Sequence, residues 1–307
     1  MEFKNFDELM EVVKGKANGI VVPGANNDEV MQACKMGLEK KIISHGILIG
    51  PQDKIKEYAE KNGVDLSNFE IEDMDDVSEM ANRAVDLVRE GRGDFLVKGL
   101  VDTKHYMKAI LRKDVGAVEE GTVLSHFVLF EVTRYHKLFA LTDAAVMIAP
   151  TLEDKVKLIN NSVNILRRIG IDRPRVSILC PIEKVNSKIP STLDAQKLVE
   201  MNKNGIIKNA IVEGPYDIYI TFSKELAAEK GVKDALVPGD VDLVLMPELN
   251  SANAVYKAIS FFGEGMKSAA IVAGTKFPVI LPSRTDSPLT KLYSIALASY
   301  LKKTKVS

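Results

Sequence analysis

Gly19-Ile20-Val21-Val22-Pro23-Gly24 runs through three branched apolar residues and breaks at Pro-Gly. A short continuous apolar run with that punctuation reads as a strand buried on both faces, since a half-exposed strand would alternate. The same design returns six times. It appears at Ile47-Leu48-Ile49-Gly50-Pro51, Phe95-Leu96-Val97-Lys98-Gly99 and Val176-Ser177-Ile178-Leu179-Cys180-Pro181. It appears again at Ala210-Ile211-Val212-Glu213-Gly214-Pro215, Leu243-Val244-Leu245-Met246-Pro247 and Pro278-Val279-Ile280-Leu281-Pro282. Between these runs the apolar spacing widens to three and four. Val156, Ile159, Val163 and Leu166 mark one helical stripe, broadened by Leu158, Ile165 and Ile169. Residues 76–89, 223–230 and 253–260 behave alike. Strand and helix alternate along nearly the whole chain, which predicts an α/β protein built on parallel sheets.

One region breaks the alternation. Phe127-Val128-Leu129-Phe130-Glu131-Val132 and Leu138-Phe139-Ala140-Leu141-Thr142 are strand-like runs joined by Thr133-Arg134-Tyr135-His136-Lys137. This pattern predicts a hairpin, and a domain boundary is expected just after it, near Asp143.

The chain has 307 residues, enough for two ordinary domains or one large α/β unit. Its 41 Lys and Arg offset 42 Asp and Glu, a net charge of −1 with no footprint for nucleic acid or anionic lipid. The longest apolar runs, such as residues 269–273, fall far short of the roughly 20 residues of a membrane span. The first residues lack the charged-then-apolar pattern of a secretory signal. Only Cys34 and Cys180 are present, which suits a reducing compartment. Together these features predict a cytoplasmic protein with no membrane partner.

The chemistry is expected at strand ends, where ligands bind in such sheets. After the strand ending at Leu281 comes Pro282-Ser283-Arg284-Thr285-Asp286-Ser287-Pro288. Pro288 suits the first turn of a helix and Ser287 its cap, so Ser283 and Arg284 fall between a strand end and a helix start. Free N–H groups there favour an anion, and a guanidinium recognises phosphate or carboxylate with two hydrogen bonds. Spacing alone also fits a simple cap at Ser287 with Arg284 paired to Asp286. A second strand end carries Lys98-Gly99, followed by a helix that either Asp102 or Thr103 could cap. A lysine in an apolar strand must reach solvent or a partner. The four histidines have no ligand-like spacing and no cysteine pair completes a zinc set, so no metal is expected. Neither Gly-x-Gly-x-x-Gly nor a Walker lysine motif follows a strand.

These segments, taken in order, resemble the phosphate acetyl/butyryl transferase family, most closely its butyryl branch. The matching stretches are Lys98-Gly99-Leu100-Val101-Asp102-Thr103, Leu124-Ser125-His126 and Leu141-Thr142-Asp143-Ala144-Ala145. They continue at residues 148–153, Asn186-Ser187-Lys188-Ile189-Pro190-Ser191-Thr192, Pro282-Ser283-Arg284-Thr285-Asp286-Ser287 and Lys291-Leu292-Tyr293-Ser294. The resemblance implies a two-domain parallel-sheet fold like that of isocitrate and isopropylmalate dehydrogenases. Residues 1–143 plus 283–307 would form one domain and 144–282 the other, with the active site in the cleft between them. It implies reversible transfer of a short-chain acyl group, butyryl favoured, between coenzyme A and inorganic phosphate, by direct attack and without a covalent enzyme intermediate. Coenzyme A and phosphate are then substrates, with no tightly bound cofactor, and the enzyme is a homo-oligomer. Implied catalytic residues are Ser283, Arg284 and Asp286. Implied substrate-binding residues are Lys98, Gly99, Thr103, Ser125, His126, Asp143 and Glu213.

The sequence departs from the family at several points, among them Glu213 in place of the usual aspartate before Gly214-Pro215 and Ala117 in place of the arginine usually found past Gly116. Thr290 stands where the acetyl branch carries an aspartate, which leaves Asp286 as the nearest carboxylate to serve as base or to orient Arg284. Tyr219 and Asn250 also replace family residues, so the acyl group stays open and Tyr216, Tyr219 and Phe222 are candidates to shape it. The alternative function is a non-catalytic homologue that binds coenzyme A or an acyl phosphate.

Overall fold

The computed structural model describes residues 3–114, 116–282 and 286–303. The chain divides into two compact units, one of Phe6–Gly121 with Ser268–Lys305, the other chiefly of Thr122–Lys267.

In chain order the first unit opens with α1 (Phe6–Val13), β1 (Asn18–Pro23), α2 (Asp28–Glu39), β2 (Ile43–Gly50) and α3 (Gln52–Asn62). It continues with β3 (Phe69–Asp73), α4 (Val77–Arg89), β4 (Phe95–Val97) and α5 (Thr103–Ile110). The second unit holds β5 (Ser125–Glu131), β6 (Phe139–Thr142), α6 (Leu152–Arg168), β7 (Arg175–Leu179) and α7 (Pro190–Lys203). After these come β8 (Ile211–Tyr216), α8 (Ile218–Phe222), α9 (Lys224–Glu229), β9 (Leu243–Leu245) and α10 (Leu249–Phe262). The chain then returns to the first unit with β10 (Lys267–Ala273), β11 (Val279–Ile280) and α11 (Pro288–Lys303).

Strands in the first unit follow the order β3-β2-β1-β4-β11-β10. β1, β2, β3, β4 and β11 run parallel, and every residue of β1 is buried, as its unbroken apolar run requires. β10 and β11 are antiparallel, Ile271 facing Ile280. The connection between them is too short for the crossover that a parallel pair needs. α11 is stitched into this unit at three points. Asn18 Nδ2 donates to Ser299 Oγ at 2.8 Å, the Ala270 amide donates to Ser294 Oγ at 2.9 Å, and Phe6 stacks on Tyr293 with centroids 4.8 Å apart.

In the second unit the order is β5-β6-β9-β7-β8. β5 and β6 form the expected hairpin, Val128 opposite Leu141, and the other pairings are parallel. α6 starts on a capping box in which Thr151 and Asp154 bond each other's backbone amides. Phe139 meets Phe222 edge-on with centroids 4.9 Å apart, and Tyr135 meets Phe222 at 5.1 Å. Phe222 is therefore a packing residue of this core.

The divisions fall near 121 and 267, earlier than the expected 143 and 282. β6 pairs with β9 through Ala140 and Leu243, so the hairpin travels with the second unit. β10 and β11 likewise belong with the strands that β11 pairs.

Candidate functional site

β1, β4 and β11 are parallel neighbours, so their carboxyl ends emerge on one side of the first unit's sheet. Beyond those ends lies a cavity of about 330 Å³. The turn after β1 and the start of α2 line it with residues 26–29, and the loop after β4 with Lys98, Gly99 and Leu100. Tyr58, Pro282 and Lys291 complete the lining.

Two loops make the floor by main-chain contact. Gly99 N donates to Pro23 O at 3.1 Å and Leu100 N to Gly24 O at 2.7 Å. A Cβ on Gly99 would stand 2.3 Å from the Gly24 carbonyl oxygen, and one on Gly24 would stand 2.7 Å from the Leu100 carbonyl carbon. Glycine is required at both positions because backbone occupies the side-chain space, and Gly24 also has φ +69°. Lys98 extends the ladder, its amide donating to Ile280 O at 3.2 Å. The residue is 3% exposed and lines the cavity.

α2 points its amino terminus into the same place, capped by Asn27, whose Oδ1 accepts from the Val30 amide at 2.9 Å. Asp28 is engaged elsewhere. Lys61 Nζ at 2.7 Å and Asn62 Nδ2 at 2.9 Å hold its carboxyl below the usual carboxylate range, the lysine having the larger effect. Lys291 enters from the first turn of α11 and is 3% exposed. Its ammonium donates to the Asp286 carbonyl at 3.0 Å. Burial pushes the Lys291 pKa down, and the charges of Asp286 and Glu29 offset part of that. The lining thus carries two buried ammonium groups against Glu29 and an already paired Asp28, beside a helix amino terminus. Such a place favours an anion.

Of the expected site residues, Lys98 and Gly99 meet in this cavity. Ser283 and Arg284 lie outside the described residues; Pro282 just before them lines the cavity, and Asp286 just after them is held by Lys291. Thr103 is exposed at the start of α5. The cap there is Asp102, which accepts from the His105 amide at 2.9 Å and contacts His105 Nδ1 at 2.6 Å. Thr290, at the family's aspartate position, joins the α11 cap, its amide donating to Ser287 Oγ at 3.2 Å.

The other four candidates belong to the second unit. Ser125 is fully buried at the start of β5, its Oγ accepting from Asn161 Nδ2 at 3.3 Å. His126 is buried beside Tyr256, ring edge to face with centroids 6.0 Å apart. Asp143, buried after β6, gathers the amides of Ala145 and Val146 at 2.8 Å and of Met147 at 3.2 Å. Glu213 accepts from the Leu236 and Val237 amides at 3.0 Å and from the Tyr216 hydroxyl at 3.3 Å. Both carboxylates shape their own loops. Tyr219 is exposed, with Lys230 Nζ 5.9 Å from its ring centroid, and the Asn250 amide donates to Glu248, the cap of α10.

Neither thiol is poised for attack, since burial pushes Cys34 up to about 12 and Cys180 up to about 11. Among the described residues no group of three or more His, Cys, Asp or Glu could hold a metal ion, and no helix is long and apolar enough to cross a membrane. Lys291 and the Asn26–Asn27 turn are cavity residues that sequence reasoning passed over. A signal for Lys291 existed, because helical side chains lean toward the amino terminus. A lysine in the first turn after Pro288 therefore aims back at the strand ends.

Comparison with known proteins bears on the whole chain. The family model described as phosphate acetyl/butaryl transferase matches residues 5–86 and 74–299. A phosphate butyryltransferase of Clostridium beijerinckii is 40% identical over 297 residues, covering 96% of this chain and 97% of its own. A phosphate acetyltransferase of Thermotoga maritima is 35% identical over 294 residues, covering 95% and 98%. Among solved structures, a branched-chain phosphotransacylase from Enterococcus faecalis V583 superposes with a TM-score of 0.81 at 26% identity, covering 94% of this chain and all of that one.

Proposed function

The chain belongs to the phosphate acetyl/butyryl transferase family, and from that premise we propose that it transfers a short-chain acyl group reversibly between coenzyme A and inorganic phosphate. The observation that carries this reading is the anion-favouring cavity at the ends of β1, β4 and β11, built on the Lys98-Gly99 loop and reached by Pro282. Butyryl is favoured over acetyl because the more similar relative, at 40% against 35% identity, is the butyryl enzyme.

In the forward direction a phosphate oxygen attacks the thioester carbonyl carbon and the C=O electron pair moves to oxygen. The tetrahedral oxyanion then collapses, the C–S bond breaks, and coenzyme A leaves as thiolate to be protonated. Lys98 holds phosphate near the floor, and Gly99 lets the β4 loop lie flat against Pro23 and Gly24. Ser283 stabilises the carbonyl oxygen as it becomes an oxyanion, a role whose loss typically costs about 10²–10³ in turnover. Arg284 grips phosphate or acyl-phosphate oxygens through its two-pronged guanidinium. Asp286 orients that arginine or takes the proton. Thr103 adds a donor at the start of α5. Ser125 and His126, expected to bind substrate, are buried in β5 and support that strand, while Asp143 and Glu213 hold the loops beside them. The rate comes mainly from orientation and electrostatics.

On this reading coenzyme A and phosphate are substrates and no cofactor is tightly bound. The two buried, unpaired cysteines support a cytoplasmic setting, and the chain works as a homo-oligomer. The fold is read as the type shared with isocitrate and isopropylmalate dehydrogenases; β11 and α11, which rejoin the amino-terminal unit, support that. One observation favours a non-catalytic binding homologue instead: Thr290 serves the α11 cap at the position where the acetyl branch has its aspartate.

A thiol-release assay separates the two. Acetyl-, butyryl- and isobutyryl-CoA are mixed with the protein, with and without phosphate, and an Arg284→Ala variant runs alongside. The acyltransferase reading expects phosphate-dependent release, fastest for butyryl-CoA, that collapses in the variant. Coenzyme A binding with no phosphate-dependent release on any of the three would favour the non-catalytic homologue.

A further inference from the structure

Lys291 is nearly fully buried, yet among the described residues its ammonium has one hydrogen-bond partner, the Asp286 carbonyl at 3.0 Å. An ammonium has three donors. Burying it with two donors unmet is costly unless an anion takes them. The cavity that Lys291 lines, at about 330 Å³, lies within the range of about 300–1,000 Å³ common for small-molecule sites. A second buried ammonium, that of Lys98, lines the same space. The other titratable groups around it are Asp28, Glu29 and Tyr58, with Asp286 beside Lys291. Asp28 is already paired with Lys61, so it does not compete for the Lys291 donors.

We propose that Lys291 is a second phosphoryl-binding residue of the cavity, acting with Lys98 on the same phosphoryl group; this rests on the acyltransferase reading. A phosphoryl oxygen takes the unmet donors while the third keeps its bond to Asp286. Lysine meets phosphate as a compact point charge, so two lysines approach from different sides where one bidentate arginine would occupy a single plane. The phosphoryl group belongs either to inorganic phosphate or to coenzyme A, and the kinetic arms below distinguish the two.

The test uses wild type, Lys291→Met and Lys291→Arg in full-length protein. KM is measured for phosphate and separately for acyl-CoA, and melting temperature is read with and without 20-fold excess phosphate over its KM. Losing a charge-assisted hydrogen bond is expected to raise one of the two KM values about 10- to 100-fold in Lys291→Met. Lys291→Arg should recover most of it. A rise confined to phosphate assigns inorganic phosphate; a rise confined to acyl-CoA assigns the coenzyme. The alkaline limb of the affected kcat/KM should move to higher pH in Lys291→Arg, because the guanidinium keeps its proton. A purely structural lysine would leave that limb in place. Unchanged KM values in a folded Lys291→Met with an active wild type overturn the assignment and leave the acyltransferase reading intact. A wild type without turnover defeats the reading, and the inference then stands on whether phosphate raises the melting temperature of wild type but not of Lys291→Met. If Lys291→Met does not fold, an unmoved alkaline limb in Lys291→Arg overturns the assignment.

Discussion

Gly99 shows how little freedom the cavity floor has. Its missing side chain is replaced by the Pro23 and Gly24 carbonyls, so Gly99→Ala forces either the β1 loop or the β4 loop to move. Such overpacking costs about 1–3 kcal/mol, which denaturant unfolding will register. The same variant should lose phosphate-dependent turnover, because the residue that shifts first is its neighbour Lys98. Lys98→Met makes the complementary point, since it keeps the floor and removes the charge. Its kcat/KM for phosphate should fall about 10- to 100-fold at unchanged stability, as steady-state kinetics will show. Lys98 and Gly99 were legible in the sequence because a lysine is out of place in an apolar strand. Lys291 offered only its position in the first turn after Pro288, since its place in the lining depends on the strand ends and α11 arriving together. Asp143 and Glu213 illustrate the opposite gap. The family resemblance implies substrate contact for both, and only geometry reveals the backbone amides they already hold.

Among elements, the strands that sequence reading found are those carrying an unbroken apolar run. β1, β4, β7, β8, β9 and β11 all announce themselves as apolar runs. β3 escaped notice because Phe69-Glu70-Ile71-Glu72-Asp73, at one edge of the sheet, has partly exposed residues and no apolar run. The antiparallel pairing of β10 with β11 was hidden as well, since a two-residue strand leaves almost no periodicity to read. Helix starts were more legible, because caps are written locally: Ser287, expected to cap α11, accepts from the Thr290 amide, and Asp102, one of two candidates, caps α5. Asp76, Thr151 and Ser223, not singled out in the sequence, each accept from an amide of the first turn as well. Thr151→Ala should cost about 1 kcal/mol by urea unfolding at neutral pH. Asp154 of the same capping box has its pKa lowered, chiefly by the Thr151 hydroxyl and then by the Thr151 amide. Its contribution is complete above the unfolded value and disappears as pH falls through the lower folded value. The Thr151→Ala penalty should therefore shrink below about pH 4, where the unfolded carboxyl takes up its proton.

For the whole molecule, α/β alternation was plain from the sequence because helix and strand periods differ so strongly. The division into units was not, because the β5–β6 hairpin looks like a boundary and is instead fastened to β9. The late return of β10, β11 and α11 brings Pro282 and Lys291 to strands laid down some 180 residues earlier. Folding thereby completes the cavity last in sequence, and phosphate should stabilise the assembled first unit by linkage. A ligand at 100 times its Kd adds about 2.7 kcal/mol, enough for a scanning calorimeter to see as a raised melting temperature. Sulfate at equal ionic strength is the control for a general salt effect.

The most direct measurement follows the phosphorus. Protein, butyryl-CoA and inorganic phosphate are combined and watched by ³¹P NMR while free thiol is titrated in parallel. An acyl phosphate resonance growing in step with coenzyme A, one for one, and reversing when coenzyme A and butyryl phosphate are supplied instead, is what the account predicts. Release of coenzyme A at the same rate without phosphate, with no acyl phosphate formed, would mean that water is the acceptor and would contradict it.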